Sequence, residues 1–254
     1  MKLRILGSGT SSGVPRIGND WGDCDPNEPR NRRTRVSILV ETASARVLVD
    51  TGPDMREQLL AAGVDRVDAV IWTHDHADHC HGIDDLRQLF HARGRPVRGF
   101  ARPATIATLA ERFGYVFAGR GEYPPSATIE PLPDRLVIGD LSIGAVDQPH
   151  GSIFSAGLRF DHDGKSIGYA TDFHELTDAM GALYTGLDLW VVDALRRRPH
   201  PSHPHLARTL GWIARLAPRH AVLTHLDQSM DYATLAAELP GGVEPGYDGL
   251  EVVL

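Results

Sequence analysis

The chain has 254 residues, of which 42% are hydrophobic and 23% are charged, a balance typical of globular proteins. Its net charge of −7 argues against long nucleic acid as a partner, because such contacts need a basic surface. No apolar run approaches the roughly 20 residues that cross a bilayer, and the apolar part of the N-terminus is too short for a signal peptide. The chain has only two cysteines, which predicts a cytoplasmic protein without disulfides. Its length predicts a single domain over residues 1–254, and no membrane partner is expected.

Hydrophobic patterns in the first half predict strands at 2–6, 36–41, 45–50 and 68–73, and helices at 53–62, 82–92 and 103–113. Further strands are predicted at 127–130, 135–138, 141–147, 157–161, 166–171, 188–193, 220–224 and 250–254, with helices at 203–216 and 231–238. A strand-rich half with helices is thus followed by a second one, without a long linker. This order predicts an α/β fold, an αββα sandwich of two facing mixed sheets flanked by helices.

The stretch WTHDHADHCHG, residues 72–82, contains four histidines and two aspartates directly after a predicted strand. His74 and His76 are two residues apart in extended chain, so their side chains point the same way and can hold one cation. Asp78 and His79 follow where the chain turns into the helix predicted near Gly82, and they face a second position. Imidazole and carboxylate groups suit zinc, and also manganese or iron.

A two-metal site needs further ligands, which are expected at the ends of other strands. His150 follows LSIGAVDQP, Asp172 ends SIGYATD and His225 ends HAVLTH. Taken singly, each histidine could be an ordinary loop residue and Asp172 could cap a helix. Taken together with the stretch at 72–82, they indicate a metal site.

The ordered set THDHADH, His150, Asp172 and His225 resembles the metallo-β-lactamase fold of hydrolases. The resemblance implies a dinuclear site at the sheet edges, with two divalent ions, zinc or manganese, and a hydroxide that bridges them. It also implies the ligands of the two ions: His74, His76 and His150 for one, Asp78, His79 and His225 for the other, and Asp172 as the bridge. Asp50, which ends RVLVD, resembles the buried aspartate that orients such a site, although it could instead cap the turn before Pro53.

Two segments resemble the phosphodiesterase branch of that fold: ILGSGTSSGVPRIG at the N-terminus and RNRRTRVSILV after it. The branch includes the tRNA 3′-processing endonucleases and the phosphoribosyl 1,2-cyclic phosphate phosphodiesterase. The glycine-rich residues 7–13 lack G-K-[ST] and predict a tight turn instead of a P-loop, with a backbone contact to phosphate as the alternative. Arginines 30, 32, 33 and 35 could steer phosphate, but most of them are expected to be solvated.

A proton donor for the leaving oxygen is expected in RRRPHPSHPHLART. Matching this stretch to the phosphodiesterase branch places His203 on the catalytic histidine. The prolines permit a second register that selects His205. Asp78 is expected to be catalytic as well as a metal ligand.

Two differences from the phosphodiesterase branch narrow the range of expected functions. The cysteine cluster that holds a structural zinc in the cyclic-phosphate enzyme is reduced here to Cys24, which predicts a packing residue. The long basic arm of the tRNA endonucleases is missing, which favours a small phosphorylated or nucleotide-like substrate. The leading hypothesis is therefore a dinuclear phosphodiesterase for a small, cyclic phosphate diester. The alternatives are a tRNA 3′-processing nuclease and a metal-binding sensor without turnover, and family members are often homodimers.

Overall fold

The computed structural model describes residues 1–254. Its strands are β1 (Lys2–Gly7), β2 (Ser37–Glu41), β3 (Arg46–Val49), β4 (Ala69–Trp72), β5 (Arg98–Ala101), β6 (Glu130–Pro131), β7 (Arg135–Ile138), β8 (Leu141–His150), β9 (Ile153–His162), β10 (Lys165–Ala170), β11 (Leu189–Asp193), β12 (His220–Thr224), β13 (Val243–Pro245) and β14 (Glu251–Val253). Its helices are α1 (Met55–Ala61), α2 (Ala77–Cys80), α3 (Leu86–Arg93), α4 (Pro103–Ala118), α5 (Asp178–Leu183), α6 (Leu206–Leu216) and α7 (Tyr232–Glu238). No helix is both long and apolar enough to cross a membrane.

The strands form two seven-stranded mixed sheets with matching organisation. The first has the order β14-β1-β2-β3-β4-β5-β6 and the second β13-β12-β11-β10-β9-β8-β7. Pairing is antiparallel from β14 to β3 and parallel from β3 to β6. In the second sheet it is antiparallel from β7 to β10 and parallel from β10 to β13.

Three hydrophobic clusters explain the four-layer stacking. The largest, of 25 buried residues, draws from both sheets, whereas clusters of 17 and 16 residues join one sheet each to its helices. In β4, Ile71 faces the partner sheet and Trp72 faces the helices, because successive side chains of a strand point to opposite faces. When a sheet is covered on both faces, the sequences of its strands are nearly continuous apolar runs. The predicted αββα sandwich is therefore confirmed.

Several predicted boundaries differ from the structure. Strands β5 and β13 and helix α5 were not predicted, and the strand expected at 127–130 is reduced to the two residues of β6. Helix α4 runs to Ala118 through a kink at Phe113. The helix predicted at 203–216 begins at Leu206, because the residue before a proline, here His203, is pushed towards an extended conformation.

Residues 24–33 are tied to the segment that follows β12, and Arg33 is central to this contact. Its side chain is buried, contrary to the solvation expected for most of the arginines, and its Nη2 donates to the carbonyl of Met230 over 2.7 Å. Cys24 is buried beside it, with its sulfur 3.8 Å from Nη1. Asn31 Nδ2 donates to Asp231 Oδ2 over 2.7 Å. These contacts join the N-terminal loop to the C-terminal part of the second sheet.

Asp231 is expected to contribute stability that depends on pH. Partial burial raises the pKa of its carboxyl, but hydrogen bonds from Thr234 and Asn31 outweigh this effect and lower the pKa to about 2. A carboxyl group whose pKa is lowered in the folded protein stabilises the fold at pH values above its ordinary pKa. This contribution is lost as the pH falls through about 2. Asp231→Ala should therefore lower the free energy of unfolding by about 1–2 kcal/mol at neutral pH.

Urea titrations at neutral and acid pH will measure this loss, which should shrink towards zero at the acid end. Asp65→Ala is a suitable control, because Asp65 is 88% exposed. An equal loss for Asp231→Ala at both pH values would contradict the assignment.

Candidate dinuclear metal site

Titratable side chains meet at one edge of the sandwich because several strands end there. Asp50 follows β3, His74 lies two residues beyond β4, Asp172 two residues beyond β10, and His225 directly after β12. His150 is the last residue of β8. Side chains that follow the carboxyl ends of neighbouring parallel strands converge on one crevice. The structure thus brings together groups from both sheets that are far apart in the sequence.

Three of these residues have left-handed backbone conformations although they are not glycines. The φ angles are 66° at Asp50, 54° at Asp172 and 58° at His225. All three side chains are buried. Such conformations are uncommon outside glycine, and each costs on the order of 1–3 kcal/mol. The surrounding fold therefore imposes them at the strand ends where the site is built.

Helix α2 is held against the end of β3 by a close backbone contact. Thr51 N donates to the carbonyl of His79 over 2.8 Å, and Gly82 N donates to the carbonyl of Thr51 over 2.8 Å. A Cβ at Gly82 would lie 2.0 Å from the carbonyl oxygen of Gly52, so only glycine fits this position. The contact fixes Asp78 and His79 in a one-turn helix of their own, and not at the start of the helix predicted near Gly82.

The first donor set surrounds one oxygen of Asp172. Asp172 Oδ1 lies 3.8 Å from His74 Nε2 and 3.6 Å from His150 Nε2. His150 Nε2 is in turn 3.3 Å from His76 Nδ1. The ligand atoms of these four residues all lie within 4.8 Å of one another. His76 is exposed whereas the other three are buried, so this set is open to solvent on one side.

The second donor set surrounds the other oxygen of Asp172. Asp172 Oδ2 lies 3.2 Å from His79 Nε2 and 3.5 Å from His225 Nε2. Asp78 Oδ2 is 3.4 Å from His79 Nε2 and 3.7 Å from His225 Nε2. The carboxylate of Asp172 therefore presents one oxygen to each donor set, which is the arrangement that a bridging ligand needs.

The spacing and the unpaired atoms of these side chains fit divalent cations. Ligand atoms about 2.0–2.1 Å from a tetrahedral zinc ion lie roughly 3.3–3.4 Å apart, close to the separations above. His74 Nε2, His79 Nε2 and both ring nitrogens of His225 are buried without a hydrogen-bond partner. Buried polar atoms are normally satisfied. The donor sets can therefore hold two ions, and the Nε2 atoms of His74, His79 and His225 are among the atoms that would bind them.

The charges around Asp172 explain the titration behaviour of the second donor set. Burial lowers the pKa of His225, but Asp172 and Asp193 outweigh it and raise the pKa to about 9. Burial also lowers the pKa of His79, but Asp172 and Asp78 hold it well above its ordinary value. In the second set, protons thus balance the carboxylates. A cation has to displace these protons, so its affinity rises as they are removed.

His74 behaves in the opposite way. Burial, together with the neighbouring His79, holds the pKa of His74 well below its ordinary value. The neutral imidazole is the form that binds a metal ion. His74 can therefore bind an ion without first losing a proton.

Asp50 lies behind His79 and fixes its ring. Asp50 Oδ2 is 2.7 Å from His79 Nδ1, and the carboxylate accepts hydrogen bonds from Thr73 N over 2.7 Å and from Thr73 Oγ1 over 2.8 Å. Its carboxyl is buried, and this burial raises its pKa although His79 and Thr73 act in the opposite direction. A carboxylate on Nδ1 leaves Nε2 of His79 free to face Asp172.

The structure places His203 in the site and His205 outside it. His203 Nδ1 lies 2.8 Å from Asp193 Oδ2, and Nε2 lies 3.7 Å from Asp172 Oδ1. The ring of His203 stacks on that of His225 with centroids 4.8 Å apart. His205 directly precedes α6 and belongs to neither donor set.

Asp193 was not predicted from the sequence. It is fully buried, and besides His203 its Oδ2 accepts a hydrogen bond from the backbone N–H of Asp172 over 3.0 Å. The signal that could have identified it is the end of β11, LWVVD, which repeats the pattern of apolar strand and terminal aspartate seen at Asp50.

The glycine-rich turn at residues 7–13 is bound within the protein. Ser8 donates from its N–H and its hydroxyl to Asp248 Oδ1, both over 2.9 Å. Gly9 N donates to the carbonyl of Thr34, and Thr10 N donates to the carbonyl of Leu226, the residue after His225. These bonds engage the N–H groups of residues 8–10 and tie the turn to the segment that follows β12.

Comparison with known proteins identifies the family. A beta-lactamase superfamily domain matches residues 45–226. The chain belongs to this superfamily. A solved structure described as a new diphosphatase from the PhnP family is 34% identical, covers 99% of this chain and 96% of that one, and superposes with a TM-score of 0.90. The resemblance to the phosphodiesterase branch is thereby confirmed.

Curated relatives in the superfamily are longer than the region they share with this chain. An octanoyltransferase from Porphyromonas gingivalis is 33% identical over 264 residues, which is 100% of this chain and 52% of that protein. A ribonuclease Z from Bradyrhizobium sp. is 30% identical over 138 residues, 52% of this chain and 46% of that protein. The chain spans about half the length of these relatives.

Proposed function

We propose that the chain is a dinuclear metal-dependent phosphodiesterase that hydrolyses a small, cyclic phosphate diester. The observation that carries the proposal is the position of Asp172, whose two oxygens each face a separate set of buried donors. The likeness to a PhnP-family diphosphatase over nearly the whole chain supports phosphorus–oxygen hydrolysis as the reaction class.

We propose zinc or manganese as the two divalent ions, held by the histidines and aspartates described above. When bound, two such ions supply a hydroxide at neutral pH and stabilise charge on the phosphate oxygens. The residues proposed to hold the first ion are His74, His76, His150 and Asp172. Those proposed for the second are Asp78, His79, His225 and Asp172.

His203 is proposed as the group that delivers a proton to the leaving oxygen. Asp193 accepts a hydrogen bond from Nδ1–H of His203, which turns Nε2 towards the donor sets. A carboxylate at Nδ1 fixes the orientation of the imidazole ring. A protonated Nε2 beside the bound diester can give its proton to the departing alkoxide, and Asp193 holds the ring in place during the transfer.

We propose a small phosphorylated or nucleotide-like substrate, and neither long nucleic acid nor a membrane as a partner. The net charge of −7 supports this choice, because a long polyanion would be repelled. The two buried free cysteines support action in the reducing cytoplasm. A homodimer stays a prediction that light scattering will test. The octanoyltransferase name belongs to a protein about twice as long as the shared region.

The proposal is tested with purified protein loaded with Mn²⁺ or Zn²⁺. Hydrolysis of bis(p-nitrophenyl) phosphate and of a cyclic ribose phosphate is expected, with loss of both activities in Asp78→Ala and His79→Ala. Unchanged rates in both variants would contradict the proposal. Cleavage of a 3′-extended tRNA precursor would instead favour a tRNA-processing nuclease. Far fewer than two ions per chain without turnover would favour a sensor.

Asp193→Asn is expected to lower kcat for a cyclic ribose phosphate by about 10- to 100-fold while the metal content stays the same. The amide removes the negative charge beside Nδ1 of His203 but keeps one oxygen as acceptor. A double-mutant cycle with His203→Ala will measure the coupling. Because Asp193 is proposed to act through His203, the effect of Asp193→Asn should nearly vanish when His203 is absent. Additive effects would show that Asp193 acts independently of His203.

A further inference from the structure

A cavity of about 510 Å³ is lined in part by residues that neighbour the first donor set in the sequence. Asp75, which separates His74 from His76, lines one side of it, and Ser152 and Phe154, which follow His150, line another. Cavities that bind small molecules fall in the range of roughly 300–1,000 Å³. This one is therefore large enough for an organic group, and its lining includes residues within two positions of His74, His76 and His150 in the sequence.

Phe154 is the most unusual feature of the cavity. Its side chain is 65% exposed, although it stands on a well-defined strand. Ala156, two residues further along β9, donates a backbone hydrogen bond to the carbonyl of Thr73 over 2.8 Å, which joins β9 to the loop that carries His74. The position of Phe154 relative to the donor set is thus set by backbone contacts, and its aromatic ring is available for stacking.

The charges around the cavity disfavour a second anionic group. Arg102 donates to Asp147 over 2.7 Å, to Asp134 over 2.8 Å and to the carbonyl of Leu132 over 2.7 Å. Arg112 donates to the backbone carbonyl and to the carboxylate of Asp75. Both guanidinium groups are therefore committed within the protein, and the carboxylates outnumber the cations around the cavity.

The remaining polar groups suit an uncharged heterocycle. The N–H groups of Ala104 and Thr105 belong to the first turn of α4 and have no partner within the helix. They can donate hydrogen bonds, while the carboxylate oxygens of Asp147 and Asp134 can accept them. A flat ring with both donors and acceptors at its edge, which stacks on Phe154, matches this set of groups.

We propose that this cavity binds the nucleobase of a nucleotide substrate, stacked on Phe154, while the phosphate diester lies at the two donor sets. The inference rests on the proposed phosphodiesterase function. It makes Phe154 a residue that determines specificity through the organic part of the substrate and takes no part in the chemical step.

Two p-nitrophenyl esters with the same leaving group test the proposal: the thymidine 5′-phosphate ester, which carries a base, and the methyl phosphate ester, which does not. For Phe154→Ala the ratio of kcat/KM between the two esters should fall by about 5- to 150-fold, the range expected for one base–aromatic stack. The change should lie in KM for the thymidine ester, with kcat altered less than about twofold. Phe154→Tyr should restore the ratio.

Tyr123→Ala is the matched control, because Tyr123 is an aromatic residue of similar exposure, 64%, outside the cavity. An unchanged ratio in Phe154→Ala, or an equal change in Tyr123→Ala, would overturn the proposal. If the wild type hydrolyses neither ester, the phosphodiesterase function fails, and the cavity is tested separately by saturation-transfer NMR with thymidine on the metal-loaded protein. Saturation of the base protons that is lost only in Phe154→Ala supports the cavity, and no saturation with the wild type overturns it.

Discussion

Asp172→Ala is expected to remove both metal ions and to lower kcat/KM by at least about 10³-fold. The two oxygens of Asp172 face separate donor sets. Each donor set would therefore lose one ligand in the variant. Metal ions contribute several kcal/mol of stabilisation to the transition state, which corresponds to this loss in rate. Metal content by elemental analysis and kcat/KM with bis(p-nitrophenyl) phosphate will measure the two effects.

Asp163→Ala is the matched control for this experiment. Asp163 also has a left-handed conformation, with a φ of 50°, but it is exposed in the turn between β9 and β10. It should keep both ions and full activity. An Asp172→Ala protein that retains two ions per chain, or an activity within tenfold of the wild type, would show that Asp172 does not bridge them.

His203→Ala is expected to lower kcat by about 10²- to 10⁴-fold for a substrate with an alkoxide leaving group. The same variant should hydrolyse bis(p-nitrophenyl) phosphate within about tenfold of the wild type, because p-nitrophenolate is a stable anion that departs without a proton. The difference between the two substrates separates proton donation from general damage to the site. Steady-state kinetics on a cyclic ribose phosphate and on the p-nitrophenyl ester will measure it.

His205→Ala serves as the control for the alternative register, since His205 lies outside both donor sets. It should leave both rates unchanged. If His203→Ala affects the two substrates equally, its role is structural. If His205→Ala reproduces the selective loss, the proton donor has been assigned to the wrong histidine.

The gross arrangement of the site could be predicted from sequence because its donors follow apolar strands. His74, Asp172 and His225 each come after a run of residues that is recognisable as a strand, and strand ends of one sheet meet at one edge. Asp193 has the same position at the end of β11 but was not recognised, since a lone carboxylate after a strand has no motif around it. Its role becomes visible only through its hydrogen bonds to His203 and to the backbone of Asp172.

Local structure was less predictable where tertiary contacts override the pattern. Asp78 and His79 lie in a helix of one turn, which has little intrinsic stability and is held by the contact between Gly52 and Gly82. The run of arginines predicts a solvated side chain for Arg33. In the structure, this side chain donates a hydrogen bond to the backbone carbonyl of Met230, 197 positions away in the sequence. No pattern within a window of residues contains this information.

The left-handed conformations at Asp50, Asp172 and His225 leave a signature that can be sought in other genomes. Each favours glycine or asparagine on backbone grounds alone, so a donor at these three positions is kept only while it binds or orients an ion. In a lineage that loses hydrolysis, these positions should drift to glycine or asparagine, because ion binding then no longer offsets the cost of the left-handed conformation. The identity of these three residues would then distinguish active enzymes from catalytically inactive proteins of the same fold.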